Sequence, residues 1–79
     1  MSMVPMSDSK TLIPIRLNGK PYGTMAGSIA ALLAERGIDA GRPGIAVAAN
    51  QKVVKRGDWP ATPIAANDDI EIVQPFQGG

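Results

Sequence analysis

The sequence predicts an α+β fold, a mixed four- to five-stranded sheet packed on one main helix. Three observations predict it. Asn18-Gly19, the strongest two-residue hairpin signal, joins two short segments of strand character. One capped amphipathic segment, Ser28 to Gly37, follows, and the second half of the chain returns to short apolar runs separated by turn residues.

From Thr11 to Asn18, Ile13, Ile15 and Leu17 alternate with Pro14 and Arg16, the period of a strand with one buried face. Pro14 has no N–H to give to a ladder, so that side of it should meet an edge or an irregularity. Asn18 and Gly19 both tolerate positive φ and should turn the chain into an antiparallel partner over Lys20 to Thr24. In "GSIAALLAERGID", Ser28 is the N-cap, while Ile29, Leu32 and Leu33 share a helical face. Gly37 should end the helix in a left-handed conformation, with Ile38 folding back towards Leu33. Two turns of helix are too few to stand alone and need the sheet beneath them.

Ala40 to Gly44, "AGRPG", reads as a turn-rich connection. A phosphate-binding loop would need a helix directly after it, and none is predicted there. Ile45 to Ala49 should form a third strand, Asn50-Gln51 a turn, and Lys52 to Lys55 a fourth strand. Trp59 to Ala66, "WPATPIAA", is expected to be irregular because of its prolines, with Trp59 and Ile64 as anchors. After a turn at Asn67 to Asp69, the last strand runs from Ile70 to Pro75, with Ile70 and Ile72 on one face and Glu71 on the other. This order of elements is that of a β-grasp, in which the first and last strands are central parallel neighbours.

Seventy-nine residues make one domain near the lower limit for a single core. Residues 1–10 are expected to be a loose extension, 11–75 the domain and 76–79 a flexible tail. Eight basic residues against seven acidic ones give no overall attraction to nucleic acid or to an anionic membrane. The first ten residues lack the features of a signal peptide and no apolar run approaches a membrane span, so a cytoplasmic location is expected. With no Cys and no His, the chain has no thiolate nucleophile, imidazole base or Cys-based metal site. Asp68, Asp69 and Glu71 are better read as a solvated turn than as a metal site, because strand alternation sends Asp68 to the side opposite the other two. Lys52, Lys55 and Arg56 beside Trp59 are better read as a solvated hairpin with a core Trp than as a surface for single-stranded nucleic acid.

What remains is the ending "QPFQGG". Nine glycines in 79 residues put a pair at any two given positions at about one in a hundred, so coincidence is a weak account. A terminus without side chains can enter a narrow channel, and its α-carboxylate becomes an electrophile once adenylated by ATP.

The segments "IRLNG", "SIAALL", "IAVAANQKVVKRGDW" and "DDIEIVQPFQGG", in this order and spacing, resemble the ThiS family of ubiquitin-like β-grasp sulfur carriers in thiamine biosynthesis. The likeness runs from about Ile13 to Gly79. It implies that an E1-like adenylating enzyme of the ThiF type uses MgATP to form an acyl-adenylate on Gly79. Sulfur from a persulfide enzyme then gives a thiocarboxylate for a thiazole synthase of the ThiG type. By the same resemblance Gly79 reacts, Gly78 permits close approach, and Phe76 and Gln77 belong to the inserted tail. The chain would hold no stable cofactor or metal and catalyse nothing by itself. Leu12 and Val73 are the expected apolar docking positions on the outer sheet face. Asn67-Asp68-Asp69 stands where many members have a Gly-Asp turn, which should alter the turn and not the chemistry. Three other readings stay open: a molybdopterin-type sulfur carrier, a ubiquitin-like conjugated modifier, and a β-grasp interaction module whose tail is incidental.

Overall fold

In the computed structural model, which describes residues 12–75, the chain runs β1 (Ile13–Leu17), β2 (Lys20–Thr24), α1 (Ile29–Glu35), β3 (Ala46–Ala49), β4 (Lys52–Val54), a 3-10 helix η1 (Arg56–Ala61) and β5 (Asp69–Val73). The five strands form one sheet in the order β2-β1-β5-β3-β4. β1 and β5 are its parallel central pair, with Leu17 opposite Ile70, and both hairpins are antiparallel. This is the predicted β-grasp, with five strands and not four.

Both hairpin turns owe their shape to residues that accept positive φ. Asn18 and Gly19 stand at φ 51° and 82°, and Asn50 and Gln51 at 53° and 71°. Turns of this hand match the twist of the strands they join. Pro14 meets the predicted irregularity. The N–H groups of Arg16 and Asn18 point to the β5 side, donating to Asp68 O and Ile70 O at 2.9 Å each. Alternation turns the Pro14 nitrogen the same way, but β5 has not yet begun at that level. There the Pro14 carbonyl accepts from Asn67 N at 2.7 Å, and no ladder donor is missed.

Helix α1 starts and stops as its sequence dictates. Ser28 Oγ accepts from Ala31 N at 3.1 Å, and Ile29 N donates across the fold to Thr62 O at 3.0 Å, so two exposed N-terminal donors are satisfied. At the other end Gly37 has φ 74°, Gly37 N donates to Ala34 O, and Ile38 N donates to Leu33 O at 2.8 Å, a Schellman stop. The helix buries Ile29, Leu32 and Leu33 against Ile15, Leu17, Val47, Ile70 and Ile72 from the sheet. Trp59 and Ile64 close one side of this core, and the Trp59 indole donates to Val54 O at 2.8 Å.

One expectation is corrected. The prolines after Trp59 do not keep the whole of Trp59 to Ala66 irregular: Pro60 lies inside η1, which runs to Ala61, and only the stretch from Thr62 to Ala66, with one isolated bridge from Pro63 to Ser28, is irregular as expected. The bonds that close this segment, Asp58 N to Lys55 O and Thr62 N to Trp59 O, use no proline donor. Proline's fixed φ suits the tight helix as long as its missing N–H is not needed.

A polar clamp joins the first hairpin to the end of α1. Glu35 accepts from Tyr22 Oη at 2.7 Å, from the buried Thr24 Oγ1 at 2.8 Å and from Met25 N at 3.0 Å. Thr24 Oγ1 in turn accepts from Ala26 N, so this buried hydroxyl both donates and accepts. Desolvation raises the Glu35 pKa, but the hydrogen bonds from Tyr22, Thr24 and Met25 and the charge of Arg36 outweigh it and hold the carboxyl below its usual value. The hydrogen bond to Glu35 raises the Tyr22 pKa, the other side of the same contact.

Ile70→Ala should lower the unfolding free energy in a urea titration by about 2–5 kcal/mol. Val53→Ala, at a side chain 80% exposed, should cost about 0.5 kcal/mol or less. The Glu35 clamp adds stability that is present above the unfolded carboxyl pKa and is lost as pH falls through the lower folded one. Unfolding followed as a function of pH should therefore show a shallower acid limb in Glu35→Gln than in the wild type.

Candidate functional site

The chain leaves the domain from the middle of the sheet. β5 is the last described strand yet lies between β1 and β3, so Gln74 and Pro75 follow a strand held on both sides. Two asparagines provide much of that hold. Asn18 N donates to Ile70 O, and Asn18 Oδ1 accepts from Ile72 N at 2.8 Å, which carries the bonding to β5 past the end of β1. On the opposite edge Asn50 N donates to Asp69 O at 2.7 Å, Asn50 Oδ1 accepts from Asp69 N at 3.0 Å, and Asn50 Nδ2 donates to Asp68. Each hairpin turn thus grips the strand that it does not belong to.

Asp68 is more than a solvated turn residue. Its carboxylate accepts from Ala65 N at 2.8 Å and from Asn50 Nδ2 at 3.2 Å, and so organises the entry to β5. Asn67 takes φ 71°, a left-handed conformation that asparagine adopts more readily than most residues. Among the described residues no group of acidic side chains could hold a metal ion.

The far end of β5 is set by proline. Odd-numbered residues of β5 turn their backbone groups to β3, as the Asn50 contacts at Asp69 show. The Pro75 nitrogen faces the same way and has no hydrogen to offer, so pairing ends at Ala46 with Val73. Val73 is 61% exposed on the outer sheet face, and Val53, across Ala48 in the next pairs, is also exposed. Val53 escaped the sequence reading, although its alternation with the half-buried Val54 in β4 is the pattern that marks it.

Leu12 is also exposed, at 53%, and its side chain lies over Gly23 of β2. It does not share a patch with Val73. The parallel register of β1 and β5 puts the two residues at opposite ends of the sheet, roughly 25 Å apart along the strands. Phe76, Gln77, Gly78 and Gly79 lie outside the described residues, as does the extension expected over 1–10.

In the basic cluster, Arg56 and Trp59 serve the fold. Trp59 is buried, and the Arg56 guanidinium stands over its ring at 4.7 Å. Arg56 also donates to Ala40 O and, at 2.7 Å, to Arg42 O, so it ties the α1–β3 connection to η1.

Sequence comparison matches the ThiS family to residues 15–79, which takes in all but the first three described residues. The chain belongs to the ThiS family. A comparison with curated proteins returns no match. Among solved structures, this ThiS-family chain is similar to the thiamine biosynthesis protein ThiS of Geobacter metallireducens, with 24% identity, a TM-score of 0.69, and coverage of 85% of this chain and 100% of that one. At this identity the likeness speaks for the fold, and it agrees with the β-grasp described above.

Asn18→Ala removes the acceptor of a partly buried N–H on β5. It should destabilise the domain by about 1–3 kcal/mol and speed amide exchange at Ile72 more than at residues of β4, as read by hydrogen-exchange NMR.

Proposed function

We propose that the protein is a sulfur carrier for thiazole formation in thiamine biosynthesis, acting as a cosubstrate and not as a catalyst. The observation that carries this reading is the family match, which extends through β5 to Gly79. The central strand is gripped by both hairpins, so a partner can seize the domain firmly while working on the residues beyond it.

The chemistry proceeds on the Gly79 carboxylate. A carboxylate oxygen attacks the α-phosphorus of MgATP in an E1-like, ThiF-type enzyme, pyrophosphate leaves, and an acyl-adenylate forms. The terminal sulfur of a partner's persulfide attacks the acyl carbon and AMP leaves. A thiol then supplies two electrons to cleave the resulting acyl disulfide and frees the thiocarboxylate. This chain has no cysteine, so the persulfide and the resolving thiol both come from elsewhere. A ThiG-type thiazole synthase takes the sulfur. Gly78, lacking a Cβ, lets the chain lie close to the nucleotide, and Phe76 and Gln77 form the inserted neck.

Geometry favours Val73 over Leu12 as a docking position for the adenylating enzyme. Val73 lies two residues before Pro75 on the strand that leads to the tail, whereas Leu12 is at the other end of the sheet.

Incubation with MgATP, the adenylating enzyme and a sulfur donor should give an intact mass in which one oxygen is replaced by sulfur, and deletion of Gly78-Gly79 should abolish the change. An unaltered mass, under conditions where a reference carrier reacts, would overturn the reading. Rescue of a molybdenum-cofactor mutant in place of a thiamine auxotroph would redirect it to molybdopterin, and protein ladders on a blot would redirect it to conjugation. Val73→Asp should raise the KM for adenylation and Leu12→Asp should leave it unchanged.

A further inference from the structure

We propose that Gly44 is a positioning residue for the C-terminal arm, acting through a contact with Pro75 that fixes the direction in which the chain leaves β5. The inference rests on the carrier reading and adds to it a residue 35 positions away from the reacting end.

The geometry is specific. Beyond the last paired positions, Ala46 and Val73, one more two-residue step along each strand brings Gly44 level with Pro75. The Pro75 ring lies over Gly44, so that a Cβ at position 44 would stand 2.9 Å from Pro75 Cγ and 3.5 Å from both Cβ and Cδ. The first of these distances is shorter than any two such carbons can hold. Gly44 also has φ 86°, in the region that side chains other than those of Asn and Asp rarely adopt. Position 44 is therefore restricted twice, once by its own backbone and once by the ring it receives.

The seat beneath Pro75 is itself anchored. Gly44 closes the connection from α1 to β3, and Arg56 holds that connection by donating to Ala40 O and Arg42 O while stacking on the buried Trp59. On the other side Pro75 cannot extend the ladder, because its nitrogen faces β3 without a hydrogen. Hydrogen bonding stops holding the chain at Val73 and ring packing takes over. Gly79 lies four positions after Pro75, so the direction the chain takes at the ring bears on where the reacting carboxylate arrives.

This predicts an effect on turnover and not on docking. The adenylating enzyme would still bind the sheet face, but the carboxylate would reach the nucleotide poorly placed. Misplacement by about 1 Å can cost about a hundredfold in rate. Gly37→Ala is a matched control, since Gly37 has nearly the same positive φ, 74°, and a Cβ added there would meet nothing within 4 Å.

The test is steady-state formation of the acyl-adenylate, read as pyrophosphate release, on the full chain with its E1-like enzyme and MgATP. Gly44→Ala should lower kcat by about tenfold to a hundredfold with little change in KM. Gly37→Ala should lose stability through backbone strain alone and keep its kcat. Pro75→Ala, which guards against a failure of Gly44→Ala to fold, should also lower kcat, and the double variant should be no worse than the poorer single one, because either change alone breaks the contact. Multiplying effects, a change confined to KM, or kcat values equal to that of Gly37→Ala would overturn the inference alone. No reaction of the wild-type chain would overturn the carrier reading and this inference with it.

Discussion

Insertion of β5 between the two hairpins is the interaction on which the remaining structure depends. Without it, the β1–β2 and β3–β4 hairpins are two separate ribbons, and neither has the third strand that a hairpin needs for stability in water. Ile70 and Ile72 bring the apolar side chains that let α1 bury Leu32 and Leu33 over a continuous sheet. Because β5 comes last in the chain, its pairing with β1 closes a loop of more than fifty residues, with Arg16 opposite Asp69. Such a pairing repays its loop-closure entropy only when the whole sheet forms together, which makes the domain cooperative.

So small a domain has few residues to spare, and its polar groups are used in more than one way. Glu35 takes three donors from the stretch Tyr22 to Met25, and thereby locks the first hairpin to the C-terminal end of the helix. Arg56 serves at once as a cover for Trp59 and as a double donor to the connection before β3. Asn18 and Asn50 are turn residues by conformation and cross-links by side chain. Exposed charged pairs add little, but donors and acceptors that fix loops to the sheet limit how those loops can open.

Much of this was legible from the sequence, for physical reasons that differ by element. Asn18-Gly19, Ser28 and Gly37 announce local conformations, and a local conformation depends on few residues beyond its neighbours. The strand faces follow from alternation, and the central parallel pair follows from the order of elements. What escaped was determined by partners distant in the chain. Nothing near Asn18 indicates an acceptor role towards Ile72, 54 residues away. Glu35 follows Leu32 by three positions, which sets it on the edge of the buried face, yet its donors come from another element. Gly44 reads as one more loop glycine until Pro75 is seen above it. The prolines after Trp59 misled because proline was weighed as a breaker of all regular structure, while a 3-10 turn demands so few donors that Pro60 fits within it. The docking pair Leu12 and Val73 was read from exposure alone, which alternation supplies. Their separation needed the parallel register, which it does not.

On the carrier reading proposed above, the reactive end must satisfy two opposed demands. It has to enter another protein, which favours a slender arm without side chains, and it has to arrive where the chemistry occurs, which favours a fixed origin. Placing the arm after the central strand meets both. An edge strand would be bonded on one side only and could shift with its partner, whereas β5 has Asn18 and β1 on one flank and Asn50 and β3 on the other. Proline at position 75 then ends the pairing abruptly, so the transition from paired to unpaired backbone falls between Val73 and Pro75. Precision at a distant reacting atom comes from the sharpness of that transition. It requires a ring with somewhere definite to rest, and the only residue that can accept the Pro75 ring at 2.9 Å from where a Cβ would be is one that has none.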